Sequence, residues 1–226
     1  MDFTDAKLTT GLAGLDKVLK GLIPGDNVVW QVESIDDYLA LVTPYCEAAR
    51  RMGRRLIYFR FASHQPLVQP GAGAEIYELH PEQGFETFIA TIHQAIEKGG
   101  RGAFYVFDCL SELAGDWYSD QMLGNFFMLT CPYLYDMETI AYFSLFRNRH
   151  SVHATDPIAE TTQLLLEVLR HGGKVYVRPI KVQQRYSPTM HMLHEWRGDE
   201  LRPVTSSAVI SEILTSSERD HVRPAD

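Results

Sequence analysis

The sequence predicts an α/β fold with a mostly parallel central sheet, and three observations carry that expectation. Short apolar runs alternate with segments of helical periodicity through the first two thirds of the chain. Two β-rich pairs then follow, each turning at a glycine-containing step, which reads as antiparallel hairpins added at one edge of the sheet. Lastly, 226 residues that are 45% hydrophobic and 22% charged suffice for one sizeable core. A single globular domain is therefore expected over residues 1–214, with a polar tail or linker at 215–226.

Taken in order, "TTGLAGLDKVLKGLIPGD" supplies glycines and a Pro-Gly turn before a β-branched run at 28–32, a buried strand. Tyr38, Leu41, Val42, Tyr45 and Cys46 repeat at helical spacing, "RRMG" gives cations and a glycine stop, and "RRLIYFRFA" is the second strand of a βαβ unit. "AEIYELHP" is a short strand, "FETFIATIHQAIEKGG" an amphipathic helix, and "GAFYVFDCL" an apolar strand closing on Asp108. "MLGNFFMLTCPYLYDM" is apolar on most faces and reads as a buried helix before the strand "ETIAYFSLF". "ETTQLLLEVLRHGGKVYVRPIKVQ" is a hairpin around "HGG", and "MHMLHEWRGDELRPV" a second one turning at Gly-Asp.

The net charge of −8 and pI near 5.6 argue against nucleic acid or an anionic membrane as partner. No apolar run reaches the roughly 18 residues of a membrane span, and "MDFTDAKLTT" lacks the basic start and apolar centre of a signal peptide. Cys46, Cys109 and Cys131 are far apart, odd in number and without paired metal-ligand spacing. These features lead us to expect a soluble protein of the reducing cytoplasm.

Residues 10–26, "TGLAGLDKVLKGLIPGD", resemble the opening segment of RecA-like ATPases of the KaiC and RadA type, with the pattern Thr-Gly, Gly-(Phe/Leu)-Asp, Gly-(Leu/Ile)-x-Pro-Gly at matching spacing. "GAFYVFDCLSEL" is similar to the second nucleotide motif of that family, and the resemblance makes Asp108 the aspartate on the magnesium side. "IAETTQLLLEV" and "PIKVQQRYSPTM" resemble the family's C-terminal strands, which carry a Lys-x-Arg segment that reaches a neighbouring subunit's nucleotide. The resemblance spans residues 10–196. It implies a RecA-like three-layer sandwich, and it extends to N-terminal modules of phosphoenolpyruvate synthase and pyruvate phosphate dikinase-like proteins. A protein partner or a fused catalytic region is thereby implied. RecA-like relatives often form rings, so a homo-oligomer is one arrangement to expect.

The residues at the phosphate-loop position argue against a bound nucleotide. The family's first strand runs into G-x-x-x-x-G-K-[ST], where glycines let backbone N–H groups wrap the phosphates, the lysine neutralises them and the hydroxyl holds magnesium. Laid on this sequence without gaps, the first glycine falls at Gln31, the last at Asp36, the lysine at Asp37 and the hydroxyl residue at Tyr38. Two carboxylates would face a polyanion, at a repulsion of about 1 kcal/mol per pair even in water-like dielectric. "SIDD" is instead a capping box in outline, with Ser34 at the N-cap, Asp37 reaching back and Asp36 complementing the helix dipole.

Family members also carry a glutamate pair after the second strand, one of which polarises the attacking water; Ala62 and Ser63 stand there, with His64 next to them. Without phosphate loop or catalytic acid, ATP hydrolysis is not expected. Neither a catalytic residue nor a metal or cofactor is assigned. Arg147 and Arg149, in "RNRH", follow a predicted strand and are candidates to line the crevice at the sheet's carboxyl edge. With Asp108, and with Lys181 and Arg185 as loosely spaced relics of the intersubunit finger, they form a vestigial or remodelled ligand site. The pairs His150/His153 and His191/His194 invite a zinc reading, yet three-residue spacing on a strand puts the rings on opposite faces. The stripe of Phe126, Phe127, Tyr133, Leu134 and Tyr135 reads as core or interface. The expected function is a non-catalytic RecA-like domain for assembly or regulation. A switch that senses a nucleotide or other anion is the alternative, and an enzyme with unrelated chemistry at the same crevice a third.

Overall fold

The computed structural model describes residues 8–219. Nine strands form one sheet: β1 (Asn27–Val32), β2 (Leu56–Arg60), β3 (Ala74–Glu78), β4 (Phe104–Cys109), β5 (Ile140–Phe146), β6 (Leu164–His171), β7 (Lys174–Val182), β8 (His194–Arg197) and β9 (Glu200–Pro203). Their order is β3-β2-β4-β5-β1-β6-β7-β8-β9. All pairings from β3 to β6 are parallel, and those of β6 with β7, β7 with β8 and β8 with β9 are antiparallel. The expected α/β class and the two C-terminal hairpins are therefore observed. Gly172 and Gly173 turn the first hairpin with φ of 56° and 73°, the left-handed pair that a two-residue turn between twisted strands demands.

Side-chain alternation on the strands separates two cores. Val28, Trp30, Tyr58, Val106, Tyr142 and Leu166 face α1 (Ala13–Leu19) and α2 (Ile35–Arg51), whose Tyr38, Leu41, Val42 and Tyr45 are buried among them. Val29, Phe59, Phe107, Phe143 and Leu165 face the other way, onto α3 (Phe85–Gly99), α5 (Gln121–Asp136) and α6 (Val152–Thr161). A short α4 (Leu113–Asp116) follows β4. Helices thus cover both faces of the sheet, which is why the central strands read as unbroken apolar runs.

The helices α1, α6 and α7 (Ser207–Arg219) are not among the elements expected from sequence. Periodicity in α1 is hidden by its seven-residue length, and α6 carries Pro157 in its interior. α7 packs Ile213 against Leu169, Tyr176 and Leu193. The polar tail expected from residue 215 is corrected accordingly: residues 215–219 continue α7, Ser217 is 3% exposed, and residues 220–226 lie outside the described part. α5 is buried through Phe126, Phe127 and Leu134 but presents Met128, Leu129 and Tyr135 outward, so it is half-buried, not enclosed.

Candidate functional site

The motif residues of 10–26 serve the fold. Asp16 accepts hydrogen bonds from the Thr10 N–H at 2.8 Å and the Thr10 hydroxyl at 2.9 Å, and from the Thr9 hydroxyl. Gly11, at φ 85°, lies so close to Pro44 of α2 that a Cβ would stand 2.1 Å from its carbonyl oxygen, and a Cβ on Gly14 would stand 2.6 Å from the Asp199 carbonyl in the β8–β9 turn. Backbone approach of this kind admits only glycine. The buried Asp26 receives the Ile23 N–H at 2.8 Å and pairs with Arg185. Burial nevertheless holds its carboxyl above the usual range, with Arg185 working against the shift.

The chain leaves β1 for α2 on one face and β5 for α6 on the other, so the carboxyl ends of β1 and β5 flank the switch point where ligands of open α/β sheets bind. Here that point is filled by the protein's own groups. Ser34 caps α2: its hydroxyl accepts from the Asp37 N–H at 3.3 Å, while Asp37 Oδ2 accepts from the Ser34 N–H at 3.0 Å and the Ser34 hydroxyl at 2.9 Å. Such a box contributes about 1 kcal/mol. Oδ1 of the same carboxylate accepts from Arg170 Nε at 2.7 Å. Asp37 is 3% exposed, and Asp36 beside it points to solvent in the first turn.

Beside this cap Arg147 extends from the end of β5 to Glu167 on β6 at 2.7 Å and Glu33 at 3.4 Å, and it donates to the Ser217 hydroxyl of α7 at 2.7 Å. Arg178 of β7 reaches the second oxygen of Glu167 at 2.6 Å. Three carboxylates (Glu33, Asp37, Glu167) thus meet three guanidiniums (Arg147, Arg170, Arg178), and the network is neutral in itself. Gln31 sits on β1 between Leu145 and Glu167. Tyr38, where the magnesium hydroxyl would stand, is fully buried and donates to the Phe107 carbonyl at 3.1 Å; burial raises its phenol well above the ordinary range.

Asp108 is at the carboxyl end of β4, beside a register shift, and fully buried. Its Oδ2 accepts the Phe61 N–H at 2.8 Å and the Ala62 N–H at 2.9 Å, and its Oδ1 accepts the Tyr58 hydroxyl. Burial, followed by the charge of Asp108, pushes the Tyr58 phenol up, so it stays a donor. His64 points Nε2 at Asp108 from 3.7 Å while its Nδ1 engages the Gln65 carbonyl at 2.8 Å. The carboxylate that the resemblance assigns to magnesium is therefore enclosed by donors from β2 and the turn after it.

The remaining candidates do not converge. Lys181 lies at the end of β7 and Arg185 just after it; β7 runs antiparallel to β6 and returns to the amino edge of the parallel strands, away from Arg147. Lys181 donates to the Ala159 and Glu160 carbonyls at 2.8 and 2.7 Å, ending α6, and burial lowers its pKa. Arg185 donates to the Gly21 carbonyl at 2.8 Å as well as to Asp26. One crevice holding all five candidates is thus corrected. Arg149 stacks on the Phe146 ring at 4.4 Å and is exposed. Neither histidine pair lies along one strand: His150 is in a turn and His153 in α6, while His191 is in a turn and His194 opens β8. Among the described residues no group of three or more His, Cys, Asp or Glu could hold a metal ion.

One pair escaped sequence reasoning. The Ser111 hydroxyl, just after β4, accepts the Phe146 N–H at 2.8 Å and lies 2.7 Å from His150 Nε2. Burial lowers the His150 pKa, with Arg149 adding to it and Asp120 opposing. Thirty-nine residues separate the two, and no spacing rule joins them; the pair ties the turn after β5 to the turn after β4.

No family model matches the sequence, and no curated protein matches it. No helix among the described residues is long and apolar enough to cross a membrane.

Proposed function

We propose that this chain is a RecA-like domain of the KaiC and RadA type that has exchanged its nucleotide site for internal structure and acts without ATP hydrolysis, in assembly or regulation. The observation that carries the reading is the capping box and neutral ion network at the carboxyl end of β1, where the resemblance places a phosphate cradle. Phosphate binding needs surplus positive charge and open backbone N–H groups. Here Asp37 and Ser34 take two of the N–H groups at the helix start, and each arginine of the network already faces a carboxylate. Phosphoryl transfer depends on positioning and charge neutralisation, and the buried Asp108 already accepts three hydrogen bonds, from Tyr58, Phe61 and Ala62. The glycines and Asp16 of the opening motif, by contrast, keep jobs in the fold, which supports a scaffold retained after its chemistry was lost. The resemblance to N-terminal modules of phosphoenolpyruvate synthase and pyruvate phosphate dikinase-like proteins makes a catalytic region of that type, fused or separate, the partner to look for in the cytoplasm.

Thermal denaturation with Mg-ATP and Mg-ADP tests the reading. A ligand at a hundredfold excess over its Kd stabilises by about 2.7 kcal/mol, roughly 5–10 °C for a domain of this size. No shift at millimolar nucleotide is expected. A saturable shift would reject it in favour of the anion-sensing alternative, for which Arg149 is the crevice cation that faces no carboxylate among the described residues.

A further inference from the structure

A groove of about 350 Å³ runs between the outer side of α2 and the segment joining β2 to β3. Leu39, Cys46, Pro66, Leu67, Val68 and Ala72 give it an apolar floor and walls. Leu67 and Val68 are buried into the core beneath, so this floor is fixed by packing; Leu39 is 37% exposed at the mouth. Two polar groups at the rim are already engaged: the Thr43 hydroxyl donates to the Leu39 carbonyl at 2.9 Å, and the Gln69 amide donates to the Pro66 carbonyl at 3.2 Å. Glu47 stands 4.0 Å from Arg51. Arg50 is different: it lines the groove and is exposed, and among the described residues its guanidinium makes no ion pair.

An apolar cleft near the lower end of the roughly 300–1,000 Å³ range of ligand pockets, with one uncommitted guanidinium at the rim, selects for ligand chemistry. The apolar part of a ligand would gain by leaving water, and a carboxylate at its end would meet Arg50 as a charge-assisted pair. We propose that this groove binds a small amphipathic monocarboxylate, its aliphatic or aromatic part against Leu39, Cys46, Leu67 and Val68 and its carboxylate on Arg50. The site is separate from the β1 crevice and independent of whether that crevice binds nucleotide. Cys46 forms part of the wall as a neutral thiol, since burial pushes its pKa up to about 12.

The same thiol supplies the assay. Cys109 and Cys131 are 0% and 1% exposed, so alkylation of the folded protein by iodoacetamide reports on Cys46, with Cys46→Ser as the blank; because only the thiolate reacts, the rates are compared at about pH 9, where this thiol is ionised to a small but usable fraction. Octanoate and phenylbutyrate are the probes. Because the alkylation rate follows the fraction of empty groove, it should fall about tenfold at ten times Kd. Octanamide should protect at least about tenfold less well, and Arg50→Gln should abolish the preference for the acid while leaving residual protection by both. Ala72→Trp, which fills the groove from its half-buried wall, should remove protection by either probe. An unchanged alkylation rate up to the solubility limit of both acids overturns the proposal. Equal protection by octanoate, octanamide and octylamine would also overturn it, since the groove would then be an apolar surface suited to a protein side chain.

Discussion

Replacing Asp37 by lysine would supply the residue that the phosphate-loop pattern calls for, and the contacts of Asp37 imply that this should damage the protein without creating a nucleotide site. The Asp37 carboxylate supplies the side-chain half of the capping box, accepting the Ser34 N–H and hydroxyl, and losing that half costs up to about 1 kcal/mol, while the backbone N–H of residue 37 still donates to Ser34. Its pair with Arg170 contributes up to about 1 kcal/mol, because the arginine side chain is 52% exposed and solvent screens it. The new ammonium would then stand near Arg170, a repulsion of about 1 kcal/mol at 4 Å in water-like dielectric. Together these give a loss of about 3 kcal/mol, or roughly 6–12 °C in Tm for a domain of this size. Urea denaturation of the wild type and Asp37→Lys, each with and without millimolar Mg-ATP, measures it; Arg170→Ala in the Asp37→Lys background should recover about a third of the loss. If Asp37→Lys were as stable as the wild type and gained a nucleotide-dependent shift, the cap and ion pair would not be what fills the site, and the reasoning would fail.

Two further outcomes concern the buried Glu167 and His194. Glu167 lies 6% exposed between Arg147 and Arg178, and Glu167→Gln leaves Arg147 with only Glu33 at 3.4 Å; a loss of about 3 kcal/mol is expected from a lower urea midpoint at unchanged slope. The Arg147→Met/Glu167→Met double variant should recover most of it, since neither charge is then stranded, and failure to recover would mean that the arginine's bond to Ser217 matters more. His194 is fully buried, and burial lowers its pKa. The unfolded chain takes up this proton below about pH 6.5 and the folded chain only at lower pH, so stability should fall on acidification through that window, by up to about 1.4 kcal/mol per pH unit. His93 and His150 shift in the same direction. Urea melts at about pH 7.5 and about pH 5.5 should show a smaller drop for His194→Leu, and an equal drop would acquit His194.

Local chemistry settled a good part of this molecule in advance. The apolar runs of β1, β2, β4 and β5, the cap "SIDD" on α2 and the glycine turns of both hairpins were legible because each depends on neighbours within a few residues. The mismatch of Gln31, Asp36, Asp37 and Tyr38 with a phosphate loop is equally local. What tertiary structure alone decided is who meets whom. Strand order brings Glu167 to Arg147 and Asp37 to Arg170 across more than a hundred residues in the second case. It also encloses Asp108 with Tyr58, and sends Lys181 and Arg185 to the opposite edge, because β7 runs back along β6. Ser111 meets His150 for the same reason. Sequence periodicity fixes the faces of an element, whereas the crossovers and hairpins of the assembled sheet fix which ends lie together, and charge partners are chosen at those ends.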